Sequence, residues 1–181
     1  QAMTAWEATG ARLGLPLFLS TLAWAYGRVG RPAEGLPLLV EAIMQGEKTG
    51  EREWEAEQYR LRGELTLQLS VQRLGSSHQA SRASRGKRQR VQLSNSQFPT
   101  SSFQAEEEAE AAFLKAIEIA RKQQAKSLEL RAAVSLARLW LSQDKKLSAY
   151  NALAQVYEWF TEGFDTADIC EAKTLLEQLS S

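Results

Sequence analysis

The residues of this chain that could support catalysis are few and isolated. His78 is the only histidine and Cys170 the only cysteine among 181 residues. A general base or a nucleophile needs a positioned partner, and a metal ion needs several converging ligands. His78 lies in a serine-rich stretch, while Cys170 follows Ile169 on an apolar helical face, where we expect a buried structural thiol. No glycine-rich phosphate motif occurs. We therefore predict no catalytic residue, no cofactor and no metal site, and a role that is not enzymatic.

A run of positive charge is the clearest alternative signal for binding. Residues 71–105 contain six arginines and lysines and no acidic residue. Such side chains can contact phosphates, which would suit a nucleic acid or another anionic surface, as in a transcriptional regulator. The run lacks interleaved aromatic residues and no recognition helix follows it, so a solvated linker is the favoured interpretation and nucleic-acid binding is the alternative. The candidate anion-binding residues are Arg82, Arg85, Lys87, Arg88 and Arg90.

Composition is that of an ordinary globular domain. Hydrophobic residues make up 44% of the chain, and no apolar run is long enough to cross a bilayer. The single cysteine excludes an internal disulfide and fits a reducing compartment. We expect one cytoplasmic domain over 1–181 without membrane contact. Because no initiator methionine is present, Gln1 is interpreted as an internal residue of a longer protein.

The elements that would position any binding residues are amphipathic helices. Between Ala105 and Trp140, apolar residues recur every three or four positions, with a brief break at 123–126. Glutamates at 106–110 are typical of a helix N-terminus, where the helix dipole favours negative charge, rather than of a metal site. The predicted helices cover 13–27, 32–49, 51–70, 105–123, 126–142, 146–160 and 166–179, and the last of them is the expected C-terminal cap.

Residue types also repeat along the chain. Small residues stand at Ala23, Gly63 and Ala137, with offsets of 40 and 74 positions. Large apolar residues obey the same spacing at 39, 113 and 153. The longer offset exceeds the shorter one by 34 residues, which is the length of the basic stretch 71–104. We therefore predict a repeat of about 40 residues, two helices per unit, with 71–104 as a mobile loop inside the second hairpin.

The repeat resembles the tetratricopeptide repeat family. Its pattern of a small residue, an aromatic residue three positions later and a small–large–small second helix is matched by Ala23, Tyr26, Gly35, Leu39 and Ala42. The resemblance implies an all-α array of helical hairpins that form a right-handed superhelix. The period of about 40 is longer than the usual 34 residues of that family.

A second resemblance extends over most of the chain outside the basic stretch. The segment WFTEGFDTADICEAK, residues 159–173, is similar to the C-terminal tail of large bacterial signalling ATPases, which often carry an adenylate or guanylate cyclase domain. The resemblance implies ATPase and cyclase domains upstream of this segment. It implies no catalytic or nucleotide-binding residue here, because none of those motifs is present in the 181 residues.

The family resemblance also indicates where a partner would bind. In such arrays the first helix of each unit lines a concave groove, and arginines with a tryptophan would suit an acidic extended or helical peptide, or the upstream domains of the same chain. The opposing interpretation is that these residues are ordinary surface charges and a partly packed tryptophan. The candidate peptide-binding residues are Trp24, Arg28, Glu57, Arg60, Glu64, Arg131 and Arg138.

Overall fold

The computed structural model describes residues 14–75 and 101–180 in full and the backbone of residues 76–83. The described ranges are helical and contain no strand, which confirms the all-α class for that part of the chain. The helices are α1 (Leu15–Arg28), α2 (Pro32–Thr49), α3 (Glu55–Ala83), α4 (Ser102–Lys122), α5 (Lys126–Ser142), α6 (Lys146–Tyr157) and α7 (Ala167–Ser180). Among these described helices, none combines the length and apolar character that crossing a bilayer requires.

Helix ends follow the local chemistry of the sequence. Pro32 opens α2, where its missing N–H costs no hydrogen bond, and Gly50 ends it with φ of 81°. Gly30 after α1 adopts φ of 73°, and Asp144, at the equivalent position after α5, adopts φ of 60°. Aspartate tolerates this left-handed conformation better than most residues do. The turn geometry is therefore kept although the glycine is replaced.

The predicted end of α3 is wrong. The helix continues past Ser70 to Ala83, and α4 begins at Ser102, so the loop predicted from residue 71 begins no earlier than residue 84. The extension contains Gly75 and three serines, which disfavour a helix, but it also contains glutamine, arginine, leucine and alanine and no proline, and a helix already nucleated by packing can extend through such a segment. His78 and Arg82 therefore lie on α3 rather than in a loop. The predictions for Arg85, Lys87, Arg88 and Arg90 lie outside the described residues.

The helices form two layers. Helices α1, α3, α5 and α7, here called the odd-helix layer, each contact the next member of their layer. Each of α2, α4 and α6 packs between consecutive odd-numbered helices, yet within the described residues no Cα atoms of α2 and α4, or of α4 and α6, approach within 8 Å. The odd-numbered helices therefore share one continuous face.

The equally spaced positions of the sequence are buried in this packing. Ala23 and Ala137 have no exposed surface, and Leu39, Phe113 and Leu153 are at most 1% exposed. At Gly63 a Cβ atom would lie only 2.5 Å from Cε1 of Phe113, so the missing side chain lets α3 and α4 approach closely. The small and large positions thus occupy the core, as the repeat predicts.

The C-terminal helix α7 covers the end of the odd-helix layer and packs against α5 and α6. Ile169, Ala172, Leu175 and Leu179 are buried, whereas its outer face is polar. Cys170 lies on that outer face and is exposed, so the expectation of a buried thiol is wrong. One residue along a helix is a rotation of about 100°, and this step carries Cys170 away from the face that buries Ile169.

Glu129 at the start of α5 gives the fold a dependence on pH. Its carboxylate is almost fully buried and accepts hydrogen bonds from Nε of Arg121 and Nζ of Lys126, both at 2.7 Å. Burial raises the pKa of Glu129, but these two cationic donors outweigh it and hold the pKa below its ordinary value. The stability that the contacts contribute is therefore complete above the unfolded pKa and is lost as pH falls through the folded pKa.

We predict that Glu129→Gln lowers the free energy of unfolding at about pH 6, and that its difference from the wild type shrinks towards about pH 3. Denaturant unfolding across that interval measures the difference. Glu118→Gln is the matched control, because Glu118 also pairs with two cationic side chains, Lys115 and Lys122, but is exposed, where ion pairs contribute little. A difference at Glu129 that stays constant with pH would contradict the prediction.

Candidate functional site

Six of the seven candidate peptide-binding residues line one cleft across the odd-helix layer. The cleft encloses about 300 Å³ and receives side chains from α1, α3, α5 and α7. We call it the charged cleft; it contains Trp24 and Arg28 from α1, Arg60, Glu64 and Gln68 from α3, Arg131, Ser135 and Arg138 from α5, and Asp168 and Glu171 from α7. Glu57, the seventh candidate, does not line it but contacts Arg60 and Arg131.

Arg60 lies at the base of the charged cleft and is 7% exposed. Its Nε and Nη2 donate to the two carboxylate oxygens of Glu57, at 2.8 and 2.6 Å, and its Nη1 donates to Glu64. Burial lowers the pKa of Arg60, but its hydrogen bonds and charge interactions with Glu57 and Glu64 outweigh burial, so the pKa lies above its ordinary value. Arg60 is therefore a permanently charged structural residue, each of whose three nitrogens already donates to a carboxylate.

The same network joins α3 to α5. Nη2 of Arg131 lies 2.9 Å from Oε1 of Glu57, and Oγ of Ser135 lies 3.0 Å from Oε1 of Glu64. Ser135 is buried, and its sequence position within an apolar stripe gave no signal of a polar contact. These contacts fix the separation of the two central helices and hence the width of the charged cleft.

Two cationic side chains of the charged cleft are accessible to a partner. Arg28 lies over the ring of Trp24, with 6.0 Å from its guanidinium carbon to the ring centroid, and it makes no ion pair within the described residues. Trp24 is 48% exposed. Arg138 is 57% exposed and pairs with Glu171 of α7. The accessible positive charge is thus at Arg28 and Arg138, whereas Arg60 and Arg131 are largely neutralised by Glu57 and Glu64.

An apolar pocket continues from the charged cleft. It encloses about 550 Å³ between α3, α4 and α5 and shares Glu64, Gln68, Ser135 and Arg138 with the cleft. We call it the apolar pocket; its apolar lining is Leu67, Val71, Leu74, Phe113 and Leu139. Two of these residues, Val71 and Leu74, belong to the part of α3 that the sequence assigned to a loop. Sequence reasoning therefore missed this pocket, as it missed Asp168 and Glu171 of α7.

The charged cleft and the apolar pocket together present charged, hydrogen-bonding and apolar groups. Their lining contains no histidine or cysteine, and in residues 14–75 and 101–180 no group of three metal-ligating side chains occurs. Guanidinium groups, an indole, an amide and hydroxyl groups bind peptides through ion pairs, hydrogen bonds and apolar contact.

Comparisons with models of protein families, with curated proteins and with solved structures found no match. The function must therefore be argued from the geometry of the site.

Proposed function

We propose that this chain is a non-catalytic module that binds a peptide or a protein segment in the charged cleft. The observation that supports the proposal is the convergence of candidates from three separate helices, α1, α3 and α5, on one cleft. Trp24 and Arg138 are far apart in the sequence but line the same cleft, because consecutive odd-numbered helices are in contact. The proposed setting is a bacterial, cytoplasmic signalling protein, in which the module serves as a sensor or scaffold arm.

The proposal includes a tetratricopeptide-like superhelix with the odd-helix layer on its concave side. Close approach of Cα atoms within the odd-helix layer, and wider spacing between α2, α4 and α6 in the described residues, support curvature towards the odd-numbered helices. A concave face of this kind surrounds an extended partner and offers it groups from several repeats at once. The partner is a separate peptide or a segment of the ATPase or cyclase domains that the family resemblance places upstream.

The accessible residues determine the character of the partner. An exposed tryptophan with an adjacent arginine is a frequent anchor at protein interfaces. Because Arg60 and Arg131 are internally paired, a partner carboxylate meets Arg28 directly and meets Arg138 by displacing Glu171. We therefore propose a partner with at least two acidic side chains.

The proposal predicts that Arg28→Glu combined with Arg138→Glu weakens binding of acidic peptides by about tenfold or more, equivalent to about 1.4 kcal/mol. Fluorescence anisotropy with a library of short peptides that differ in acidic content measures the effect. Arg62→Glu is the control, because Arg62 is an exposed arginine of α3 outside the cleft. If the double variant binds acidic peptides with unchanged affinity, or if the control loses as much affinity, the charged cleft is not the binding site.

A further inference from the structure

The apolar pocket adjoins the charged cleft, so a peptide bound in the cleft also meets apolar side chains. It opens beside Arg138 and is walled on one side by Val71 and Leu74 of α3, which are 69% and 47% exposed. Phe113 and Leu139 line it from α4 and α5. A volume of about 550 Å³ lies within the usual range of ligand-binding cavities, about 300–1,000 Å³.

We propose that the peptide partner has an apolar anchor, a leucine, methionine or phenylalanine side chain, that fills this apolar pocket next to an acidic residue at Arg138. This inference rests on the proposed function, because it specifies the partner of the same site. The four residues that line both the cleft and the pocket make the two a single continuous surface. A bound segment therefore meets apolar and positively charged groups in succession.

The charged side chains where the charged cleft meets the apolar pocket favour an acidic residue in the peptide, next to its apolar anchor. At the junction, Glu64 pairs with Arg60 and accepts a hydrogen bond from Ser135. Glu106 accepts from the neutral amide Nε2 of Gln143 at 2.9 Å and keeps its negative charge, but it lines the apolar pocket and not the charged cleft, so it lies away from the junction. The group at the junction with the most accessible charge is the guanidinium of Arg138, whose partner Glu171 belongs to another helix. A carboxylate close to the anchor is complementary to that guanidinium.

A peptide fits the combined surface better than a simple amphiphile such as a fatty acid. Gln68, at the junction, is exposed and has both donors and an acceptor, the complement of a backbone amide. Arg28 and Trp24 lie at the α1 side of the charged cleft, where a second acidic side chain finds a partner. A fatty acid has one carboxylate and no amides, so it uses only part of these groups.

The proposal is tested with Val71→Glu, which places a charge in the wall of the apolar pocket. Short acidic peptides with a central leucine should bind this variant about tenfold or more weakly than the wild type, because the leucine loses its apolar environment. Val29→Glu is the matched control, since Val29 is 68% exposed but lies outside both cleft and pocket. Circular dichroism compares the folding of both variants.

A double-mutant cycle makes the assignment specific. Replacing the peptide leucine by alanine should weaken binding to the wild type about tenfold. The same replacement should leave binding to Val71→Glu nearly unchanged, because both substitutions remove the same contact between the leucine and the apolar pocket. Additive losses, or equal affinity for the leucine and alanine peptides, would overturn the anchor while leaving the charged-cleft proposal intact. Dodecanoate that competes as well as the peptide would overturn the choice of a peptide. No binding of any acidic peptide would overturn both proposals.

Discussion

Arg60→Met is expected to lower the free energy of unfolding by about 3 kcal/mol at neutral pH, because it leaves a buried carboxylate without its main partner. The side chains of Arg60 and Glu57 are only 8% and 11% exposed and form a two-point contact. Removal of one member of such a pair costs about 3–5 kcal/mol. The lower end is expected because Arg131 still contacts Glu57 at 2.9 Å. Denaturant unfolding measures the change.

Two further variants identify the cause of that loss. Arg62→Met, on the exposed side of the same helix, should change stability by less than about 0.5 kcal/mol. Adding Glu57→Gln to Arg60→Met removes the stranded charge and should recover part of the loss. No recovery would indicate that the loss comes from packing of the arginine methylene groups instead. A loss below about 1 kcal/mol for Arg60→Met would contradict a structural role for this ion pair.

The role of Arg60 shows where sequence reasoning about the site reached its limit. The spacing of Glu57, Arg60 and Glu64 predicts that they share a helix face, and they do. The same spacing occurs in exposed ion pairs, and only the packing of α5, through Arg131 and Ser135, makes this one internal. Residues that meet across the array, such as Arg138 and Glu171, likewise have no local signal of their contact.

Fold prediction succeeded where local chemistry decides. Proline and glycine mark the limits of α2, and the predicted limits of α5 agree with Lys126–Ser142. It failed at the end of α3, where the apolar periodicity stops but no helix-breaking residue follows before Ala83 apart from Gly75. Loss of an amphipathic pattern removes the reason for burial, but it does not remove helix propensity. The apolar pocket is partly formed by this extension, so the apolar periodicity of the sequence did not predict it.

Gly63→Ala is expected to lower the free energy of unfolding by about 1–3 kcal/mol, although alanine is the better helix former. A Cβ atom at this position would lie 2.5 and 2.8 Å from Cε1 and Cζ of Phe113. Phe113 is 1% exposed within the main core cluster, so its ring is held by neighbouring side chains on all sides except where it borders the apolar pocket. The overlap therefore has to be relieved by displacing the ring or by separating α3 from α4, and either shift alters the walls of the apolar pocket.

Gly75→Ala is the matched control on the same helix, because no atom lies within 4 Å of the added Cβ. It should raise stability by about 0.5–1 kcal/mol, so the two glycines of α3 respond with opposite signs. Combining Gly63→Ala with Phe113→Leu removes the ring edge that the new methyl group meets, and the combined loss should be smaller than the sum of the single losses. If the losses simply add, close contact with Phe113 is not the reason that glycine is required, and the small positions of the repeat need another explanation.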